Sequence, residues 1–579
     1  MEAAADLVIR GGTVFDGSGG EPFEADVAVT NGRIAAVGVF AGSGREEIDA
    51  RGRMVTPGFV DAHTHYDGQL IWSERLSPSS SHGVTTVATG NCGVGFAPCR
   101  PQDHTRLIKL LEGVEDMPEV VLADGLAWDW ESFPEFVQAV KRRRHDLDFA
   151  LQLPHSALRM YVMGERAIDR AEATPDEIAQ MRVLAREAVE AGAFGFGTSR
   201  NIFHTTLDGQ IIPTAHSPEA ELTAIAEGVR DGGGGVIQAI LNVETPRPDL
   251  EMFRRVAERS GCPLSFTLLQ VGGADPGSWR DLLAMTREAR AAGVPVTGQV
   301  FPRPVGVLLG LDASYHPFSA HPTYLRIAEL PLAARVAEMR RPEVRAAILA
   351  DTPEPRGMLF FRLARAFDII YALGDPPNYE PDRSTSIAAM AGARGVSADE
   401  IAYDLLLEKD GHALLLQTIA NYADRNLEAA REMLVDPATV PALGDGGAHY
   451  GMICDSTYTT FMLGYWGRDR KQGRLPLPEI VRALTAKPAA MLGLADRGRI
   501  APGLKADLNV IDFERLTLKA PRMVRDLPSG GRRLTQDASG YVATFVSGEA
   551  IQQDGAPTDA RPGRMVERSS RAAPAMAAE

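Results

Sequence analysis

The two ends of the chain share one pattern of hydrophobic and polar positions, in which short apolar runs alternate with glycine turns. Residues 6–50 show it in DLVIRGGTVFDGSG and DVAVTNGRIAAVG, and it returns near the C terminus in GRIAPGLKADLNVID and YVATFVSGEAIQ. NG and DG pairs between alternating apolar residues are typical of β-hairpins. We therefore predict a small β-sandwich domain built from both termini, with residues 1–54 and 496–566 as its two parts.

The sequence between these parts changes to apolar strand-like runs that are separated by amphipathic helical segments. Eight such runs are present, namely GFVDAHTH, TTVATGNC, FALQLPH, FGFGTS, VIQAI, LSFTLL, VTGQV and VPALGDGGAH. Strands that alternate with helices are typical of an α/β fold, and eight of them indicate a closed parallel barrel. We therefore predict a (β/α)8 TIM-like barrel over residues 55–495.

One of the intervening segments, TPDEIAQMRVLAREAVEAG, carries both start and stop signals of a helix. Thr174 is predicted to be the N-cap, Pro175 the first helical residue and Gly192 the end of the helix. The glycine run RDGGGGV precedes a strand instead of joining a strand to a helix. It therefore predicts a turn and not a phosphate-binding loop.

A long interval, about residues 305–437, separates the seventh and eighth strand runs and includes helical stretches such as EIAYDLLLEKDGHALLLQ. We expect an insertion of this size on the C-terminal side of a barrel to cover the active site. One more helix, EIVRALTAKPAAMLGL, follows the eighth run. Residues 567–579 are predicted to be a disordered tail.

Composition and charge narrow the classes of function. The 579-residue chain is 45% apolar and 23% charged, which is typical of a soluble globular protein. Its net charge of -16 offers no attraction for a phosphate backbone, so nucleic acid is not an expected partner. No apolar stretch is long enough to span a membrane, and the start MEAAADLVIRGG lacks the pattern of a signal peptide. We expect a cytoplasmic protein that acts on a small molecule without a membrane partner; a homo-oligomer is compatible with these features.

Side chains that bind metals follow three of the predicted strands. His63 and His65 end the first run, and alternate residues of a strand point to the same face. Cys92 follows the second run and Asp445 the eighth, and the four cysteines of the chain are too few for a disulfide framework. Because strand ends converge on one face of a parallel barrel, these two imidazoles, the thiolate and the carboxylate predict a zinc site. The alternative is a pair of surface histidines that bind no metal.

Segments along nearly the whole chain resemble the amidohydrolase superfamily and, within it, the N-acyl-D-amino-acid deacylase (D-aminoacylase) family. The similar segments are, in order, GGTVFDGSG, PGFVDAHTHYD, GNCGVGFAP, LRMYVMGERA, AEATPDEIAQMRVLAREAVEAGAFGFGTS, GDGGAH and LTAKPAAMLGLADRGRIAPGLKADLNVID. The resemblance implies that His63, His65 and Asp445 bind one metal ion. It also implies that Cys92 binds a second ion together with histidines from strands five and six, in the place that a carboxylated lysine holds in many relatives.

The sequence departs from that family at the second metal position. The segments after strands five and six read GVIQAILNV and SFTLLQVGG, where the family has histidines. Gln238 and Gln270 occupy the region, and an amide oxygen is a poorer zinc ligand than an imidazole nitrogen. We therefore expect one tightly bound zinc ion rather than two.

The lysine that helps the family to hold the substrate carboxylate is also missing. Arg303, just after the seventh strand, is a candidate bidentate anchor for that carboxylate; the alternative is a structural arginine. His155, His204 and His449 follow strand ends and are candidates for substrate binding. His204 and His449 are also candidates to replace a lost metal ligand, and hydrogen bonds within the loops are the alternative for all three.

Together these features predict a metal-dependent hydrolase of the amide bond in N-acyl amino acids, with a D-configured amino acid as the first expectation. Zinc lowers the pKa of bound water to about 7 and polarises a carbonyl, and Asp445 is the candidate base and acid that moves the proton to the leaving nitrogen. Two alternatives stay open. One is a hydrolase of another amide, lactone or cyclic amide without a substrate carboxylate, which the missing lysine favours. The other is a non-catalytic barrel relative that only binds a ligand.

Overall fold

The computed structural model describes residues 4–273, 275–354 and 363–567. The predicted tail, beyond its first residue, and a short part of the predicted insertion lie outside the described residues. The strands are, in chain order, β1 Ala4–Val14, β2 Phe23–Thr30, β3 Arg33–Gly38, β4 Ser43–Asp49, β5 Met54–Pro57, β6 Phe59–Asp61, β7 Val84–Thr89, β8 Asp148–Leu151, β9 Leu153–Pro154, β10 Gly195–Ser199, β11 Val236–Ile240, β12 Leu264–Thr267, β13 Val296–Val300, β14 Val305–Leu309, β15 Ile370–Ala372, β16 Leu415–Ala420, β17 Thr439–Pro441, β18 Leu508–Ile511, β19 Thr517–Leu518, β20 Arg522–Val524, β21 Arg533–Thr535, β22 Ala538–Ser539, β23 Tyr541–Val546, β24 Glu549–Gln553 and β25 Ala556–Pro557.

Strands from both ends of the chain pair in one nine-stranded sheet. Its order is β25-β24-β23-β18-β5-β1-β2-β3, and β4 pairs with β1. The inward side chains of these strands form a hydrophobic cluster of their own. Because β5 pairs with both β1 and β18, this sheet extends to Pro57, past the boundary predicted at residue 54. The two-layer sandwich and the division into domains stay predictions.

Each of the eight predicted barrel runs contains a strand, and the strands pair in parallel. One sheet has the order β6-β7-β8, and the other has the order β17-β13-β12-β11-β10-β9. The third run is divided between the two sheets. The C-terminal segment pairs with the edge of β8, where the Phe149 N–H donates to the Arg564 carbonyl (3.1 Å) and the Val566 N–H donates to the Phe149 carbonyl (2.8 Å).

The segments that follow β6 and β17 meet at the carboxyl ends of the parallel strands. The Asp445 N–H donates to the carbonyl of His63 (3.1 Å), and the His65 N–H donates to the carbonyl of Gly446 (2.8 Å). These two backbone hydrogen bonds bring the first and the eighth predicted strand ends side by side.

Helices lie between most of the parallel strands. The described α-helices are α1 Gln69–Trp72, α2 His104–Glu115, α3 Glu119–Gly125, α4 Phe133–Lys141, α5 His155–Met163, α6 Glu165–Ile168, α7 Pro175–Glu190, α8 Glu219–Asp231, α9 Pro246–Ser260, α10 Ser278–Ala291, α11 Pro322–Leu325, α12 Leu332–Met339, α13 Pro342–Ala350, α14 Ile387–Arg394, α15 Ala398–Leu406, α16 Glu428–Leu434, α17 Tyr458–Phe461, α18 Leu477–Leu484 and α19 Ala486–Met491. The caps predicted for α7 are confirmed, since the Thr174 side chain accepts from the Glu177 N–H and Gly192 has a φ of +119°. No helix among the described residues is long and apolar enough to cross a membrane.

Two of the predicted helices are shorter than the sequence pattern indicated. The stretch that begins at Glu400 is helical only in α15, and its last residues form β16, because β16 pairs between β14 and β15 in an antiparallel sheet. The helix predicted after the eighth run is divided into α18 and α19. Pro488 cannot donate to the carbonyl of Leu484, which breaks the helix at this point.

The predicted insertion contains the three-stranded sheet of β14, β15 and β16 and has a hydrophobic cluster of its own. It is joined to the loop that follows Asp445. The Leu308 N–H donates to the Met452 carbonyl (2.6 Å), and the Ser314 N–H donates to the Gly451 carbonyl (2.9 Å). The described part of the insertion therefore packs at the carboxyl-end side of the parallel strands.

Candidate metal centre

His63 and His65 lie just after β6, on the same side of the extended chain. Their side chains are 1% and 2% exposed, and the ring centroids are 5.5 Å apart. The Asp61 Oδ1 accepts from the His63 N–H (3.1 Å), which fixes the backbone where the strand ends. The alternative of two surface histidines is therefore wrong.

Cys92 lies in a tight turn, Asn91–Gly93, that follows β7. Its backbone has a φ of +55°, and its N–H donates to Gln238 Oε1 (2.9 Å). This turn points the thiol at the histidines, with Cys92 Sγ 3.4 Å from His63 Nε2 and 3.7 Å from His65 Nε2.

Asp445 approaches the same point from the loop after β17. Its Oδ1 lies 3.4 Å from His63 Nε2 and 3.6 Å from His65 Nε2. Gly447, two residues after Asp445, has a φ of +91°, and a Cβ there would lie 2.6 Å from the His65 carbonyl oxygen. Only glycine fits this backbone comfortably.

The distances of Cys92 Sγ and Asp445 Oδ1 from the two histidine nitrogens are compatible with a shared zinc ion. Zinc bonds of about 2.0–2.3 Å in tetrahedral geometry place neighbouring ligand atoms about 3.3–3.7 Å apart. The four measured contacts of Cys92 Sγ and Asp445 Oδ1 with the two histidine Nε2 atoms run from 3.4 to 3.7 Å. Ligand atoms of His63, His65 and Cys92 also lie within 4.8 Å of one another. Two imidazoles, one thiol and one carboxylate are a donor set that suits zinc.

The hydrogen bond at the other ring nitrogen of His63 sets its tautomer. The Gln299 side chain donates from Nε2 to Ser265 Oγ (2.8 Å), so its Oε1 accepts from His63 Nδ1 (2.6 Å). A proton on Nδ1 leaves Nε2 with a free lone pair that faces Cys92 and Asp445. Ser265 on β12 and Gln299 on β13 therefore hold His63 in the tautomer that can bind a metal through Nε2.

Burial also shifts the pKa values of the candidate ligands. It lowers the pKa of His63 to about 4 and that of His65 to about 3, so both rings are neutral at physiological pH. Burial raises the pKa of Cys92 well above its usual value, and the carboxylates of Glu115 and Asp445 raise it further. A thiol in such a place loses its proton when a cation binds.

Glu115, at the end of α2, lies behind His65 and was not predicted from the sequence. It is 1% exposed, and its Oε1 lies 3.6 Å from His65 Nδ1 while its Oε2 lies 3.4 Å from His449 Nε2. Burial raises the pKa of Glu115 well above its usual value. The signal available in the sequence was a glutamate on the apolar face of an amphipathic helix, four residues after the buried Leu111.

The side-chain amides of Gln238 on β11 and of Gln270 after β12 are hydrogen-bonded to other groups. Gln238 accepts from the Cys92 N–H, as described above. Gln270 Nε2 donates to Asp424 Oδ2 (2.7 Å), and its Oε1 accepts from the Ala423 N–H (3.2 Å). These side chains support loops. Neither they nor their strands supply the imidazole that the similar family has at its second metal position.

Arg303 lies beneath the pocket and not in it, which corrects the predicted carboxylate anchor. It is 1% exposed, and its NH2 group donates to the Cys454 carbonyl (2.7 Å) and to Asp455 Oδ1 (2.8 Å). The guanidinium also stacks over the Tyr379 ring at 4.1 Å. The alternative of a structural arginine describes this environment, because the guanidinium holds Asp455, whose side chain lines the pocket.

His155 is likewise part of a buried network, and the structure does not place it in the pocket. It is the first residue of α5, its Nδ1 contacts Thr198 Oγ1 (2.8 Å), and its Nε2 contacts Glu221 Oε1 (2.9 Å). Arg159 Nε donates to the same Glu221 oxygen (2.9 Å). With both ring nitrogens occupied, His155 fixes the helix after strand three instead of binding substrate.

His204 and His449 do lie near His63 and His65. His204 Nδ1 contacts Ser199 Oγ (3.1 Å), and burial together with the neighbouring His449, His65 and His63 lowers its pKa to about 3. Burial lowers the pKa of His449 to about 4. Both stay candidates for substrate binding, and His449 is tied to Glu115.

A small pocket of about 20 Å³ opens beside Asp445. Its lining residues are Pro78, Gly444, Asp445, Gly446, Gly447, Ala448, Tyr450, Ile453, Cys454, Asp455, Ser456, Arg533 and Leu534. Arg533 is the cationic member of this set, and it comes from β21 in the C-terminal part of the chain. Its guanidinium pairs with Asp526 (2.9 Å) and donates to the Ser77 carbonyl (2.6 Å). No local pattern in the sequence marked Arg533 or Asp455 as a pocket residue.

Comparisons with known proteins match nearly the entire chain. The sequence model described as the amidohydrolase family matches residues 46–552. The N-acyl-D-aspartate deacylase of Alcaligenes xylosoxydans xylosoxydans is 28% identical over 569 residues, which are 97% of this chain and 95% of that protein. A D-aminoacylase structure, described by a binuclear metal centre with one-metal activation and second-metal attenuation, is 25% identical with a TM-score of 0.66 and covers 97% of this chain and 100% of that one. The N-acyl-D-glutamate deacylase from Bordetella bronchiseptica, solved with zinc and a phosphonate inhibitor, is 23% identical with a TM-score of 0.66 over 98% of this chain and 100% of that one, and this likeness concerns the fold.

Proposed function

This chain belongs to the amidohydrolase family, and we propose that it hydrolyses the amide bond of N-acyl amino acids, with D-configured amino acids as the first substrates to test. The observation that carries the proposal is that Cys92 and Asp445 both approach His63 and His65, with donor atoms 3.4–3.7 Å apart, as neighbouring ligands of a zinc ion are. The substrate class is supported by the deacylases that this chain resembles along almost its full length.

One zinc ion is proposed in preference to two. In the similar family the cysteine at this place binds the second metal together with histidines from strands five and six, whereas here the Cys92 thiol faces His63 and His65, the two histidines after β6. The positions after strands five and six carry amides with backbone or side-chain partners, as Gln238 and Gln270 show. An ion at a second position would therefore lack imidazole ligands from these strands.

Asp445 is proposed to move the proton. When bound, zinc supplies an activated water and polarises the scissile carbonyl. Asp445 is 22% exposed at the side chain and lines the pocket, so its carboxylate touches both the donor cluster and the space open to substrate. It accepts the proton of the attacking water and delivers it to the nitrogen of the leaving amine, which is otherwise a poor leaving group.

The second candidate function is hydrolysis of an amide, lactone or cyclic amide that has no carboxylate. It is favoured by the burial of Arg303 and by the two carboxylates, Asp445 and Asp455, that line the pocket. The first candidate requires a cation for the substrate carboxylate, and Arg533 is the lining residue of that charge. Since Arg533 already pairs with Asp526, one of its remaining N–H groups would have to serve.

A metal analysis combined with a substrate panel tests both candidates. Protein purified without chelator should contain about one equivalent of zinc. It should hydrolyse N-acyl-D-amino acids faster than N-acyl-L-amino acids and faster than the matching uncharged amides. Faster turnover of uncharged or cyclic amides would favour the second candidate, and a zinc-free protein that binds these compounds without cleaving them would favour a non-catalytic relative.

The same proposal extends to the architecture that holds the site. The two parallel sheets are proposed to form one closed (β/α)8 barrel, since the segments after β6 and β17 are hydrogen-bonded through His63 and Asp445. The nine-stranded sheet is proposed to be the core of a separate domain that both termini build.

A further inference from the structure

Glu115 is a buried carboxylate that has no lysine or arginine partner among the described residues. Its ion-pair contacts are His65 and His449, and its Oε2 accepts no hydrogen bond from the part of the chain that the structure describes. A buried carboxylate in such surroundings lowers the stability of the fold unless its neighbours donate hydrogen bonds to it. The two imidazoles are the neighbours that can do so.

Two hydrogen bonds join the end of α2, which carries Glu115, to the loop that follows β17. The Glu115 carbonyl accepts from the His449 N–H (2.5 Å), and Asp116 Oδ2 accepts from the Gly451 N–H (3.1 Å). The end of α2 is therefore fixed to the loop that carries Asp445. This places the Glu115 side chain between His65, which follows β6, and His449, which follows β17.

The two nitrogens of the His65 ring face different groups. Nε2 faces Cys92 Sγ (3.7 Å) and Asp445 Oδ1 (3.6 Å), whereas Nδ1 faces Glu115 Oε1 (3.6 Å). An imidazole that binds a metal through Nε2 carries its proton on Nδ1 and usually donates it to a carboxylate or a carbonyl. At 3.6 Å the Nδ1 contact lies just beyond hydrogen-bond length.

We propose that Glu115 is a positioning residue of the metal centre, which acts through His65. It holds the ring of His65 in the orientation and tautomer that present Nε2 to the ion, and its Oε2, which lies 3.4 Å from His449 Nε2, keeps the loop of Asp445 beside the same carboxylate. Gln299 has the corresponding place behind His63. This inference rests on the proposed metal-dependent function.

The test is zinc affinity, measured by competition with a chromogenic chelator, for the wild type, Glu115→Gln and Glu112→Gln. Loss of a carboxylate behind a metal-binding histidine typically weakens metal binding about 10–100-fold, and this is the loss expected for Glu115→Gln. Glu112 lies on the same helix, and its carboxylate accepts from the Glu119 N–H away from the histidines. Glu112→Gln should bind zinc as the wild type does.

A spectroscopic readout separates positioning from a general effect on folding. In cobalt-substituted protein, Glu115→Gln should shift the visible absorption bands of the ion, and Glu115→Asp, which keeps a carboxylate, should restore part of the zinc affinity. Equal zinc affinity and equal cobalt spectra in the wild type and Glu115→Gln would overturn the inference, as would a Glu115→Asp variant that binds no better than Glu115→Gln. A wild-type protein that binds no zinc would instead overturn the proposed function, so the two failures are distinguishable.

Discussion

The two halves of the carboxyl-end side of the parallel strands differ in what their polar side chains do. In the first half, side chains that follow β6, β7 and β17 turn toward one point. They are His63, His65, Cys92 and Asp445. After strands five and six, Gln238 and Gln270 turn toward backbone N–H groups and toward a side chain of a neighbouring loop. One half therefore forms a set of metal donors, and the other half fixes the backbone around it.

The difference teaches that residues at strand ends can support a neighbouring site without facing it. Gln238 accepts from the N–H of Cys92 and so helps to hold the left-handed turn that aims the thiol. The amide of Gln238 thus supports the turn that carries a candidate metal donor. If this comparison is correct, substitutions in the first half should change metal binding or turnover, and substitutions in the second half should change mainly the free energy of unfolding.

The largest effect is expected for Asp445→Asn. Asparagine has nearly the same shape but accepts no proton at neutral pH, so kcat should fall on the order of a hundredfold or more. The variant should melt at the temperature of the wild type and keep part of its zinc through the two histidines and the cysteine. Steady-state kinetics on zinc-loaded protein decide, and near wild-type turnover would contradict the proposed proton transfer.

His63→Ala should remove most of the zinc, because it deletes one of the converging donors and leaves Gln299 without its partner. Gln270→Ala is the matched change in the other half, and it should keep about one equivalent. Elemental analysis after dialysis measures both. If Gln270→Ala lost zinc as His63→Ala does, the division of the carboxyl-end side into two halves would be wrong.

Arg303→Leu should lower the free energy of unfolding by about 1–3 kcal/mol, since the half-buried Asp455 carboxylate loses its charged hydrogen-bond donor. Burial already raises the pKa of Asp455 to about 6 with the guanidinium in place. Turnover of charged and uncharged substrates should change by the same factor. A rise in KM confined to carboxylate substrates, in a stable variant, would restore the role of Arg303 as a carboxylate anchor.

Gln238→Ala should cost about 1–3 kcal/mol of unfolding free energy, because the N–H of Cys92 loses its acceptor in a buried turn. Zinc content should stay near one equivalent. Denaturant unfolding of the zinc-loaded protein gives the first quantity and elemental analysis the second. A loss of zinc without a loss of stability would mean that the amide oxygen is itself a ligand.

The smallest effect concerns His82, a buried histidine outside the metal centre. Its ring contacts Thr460 Oγ1 (2.7 Å) and the Gln536 carbonyl (2.8 Å), and burial lowers its pKa from 6.5 to about 4. The unfolded chain therefore takes up the proton first, and stability falls as the pH decreases from about 6.5 towards 4. His82→Gln should remove this contribution, on the order of 1 kcal/mol by pH 5.5. An unchanged difference in unfolding free energy between pH 7 and 5.5 would contradict it.

The sequence by itself determined the elements whose signals are local. The alternation that ends at His63 and His65, the capped helix α7 and the glycine-flanked Asp445 each depend on residues a few positions apart. Strand periodicity and helix caps are short-range properties, so each of the eight predicted runs contains a strand in the structure. The four predicted metal donors followed from those strand ends, because parallel strands bring their carboxyl ends together.

The tertiary structure decided which polar residues face the site and which ones support it. Arg303 and His155 follow strand ends as the metal donors do, yet Asp455 and Glu221 bind them away from the substrate space. Glu115 lies behind His65, although nothing in its local sequence links it to a strand end. The physical reason is that a buried side chain takes the direction in which its hydrogen bonds and charge are satisfied, and those partners come from segments far away in the sequence.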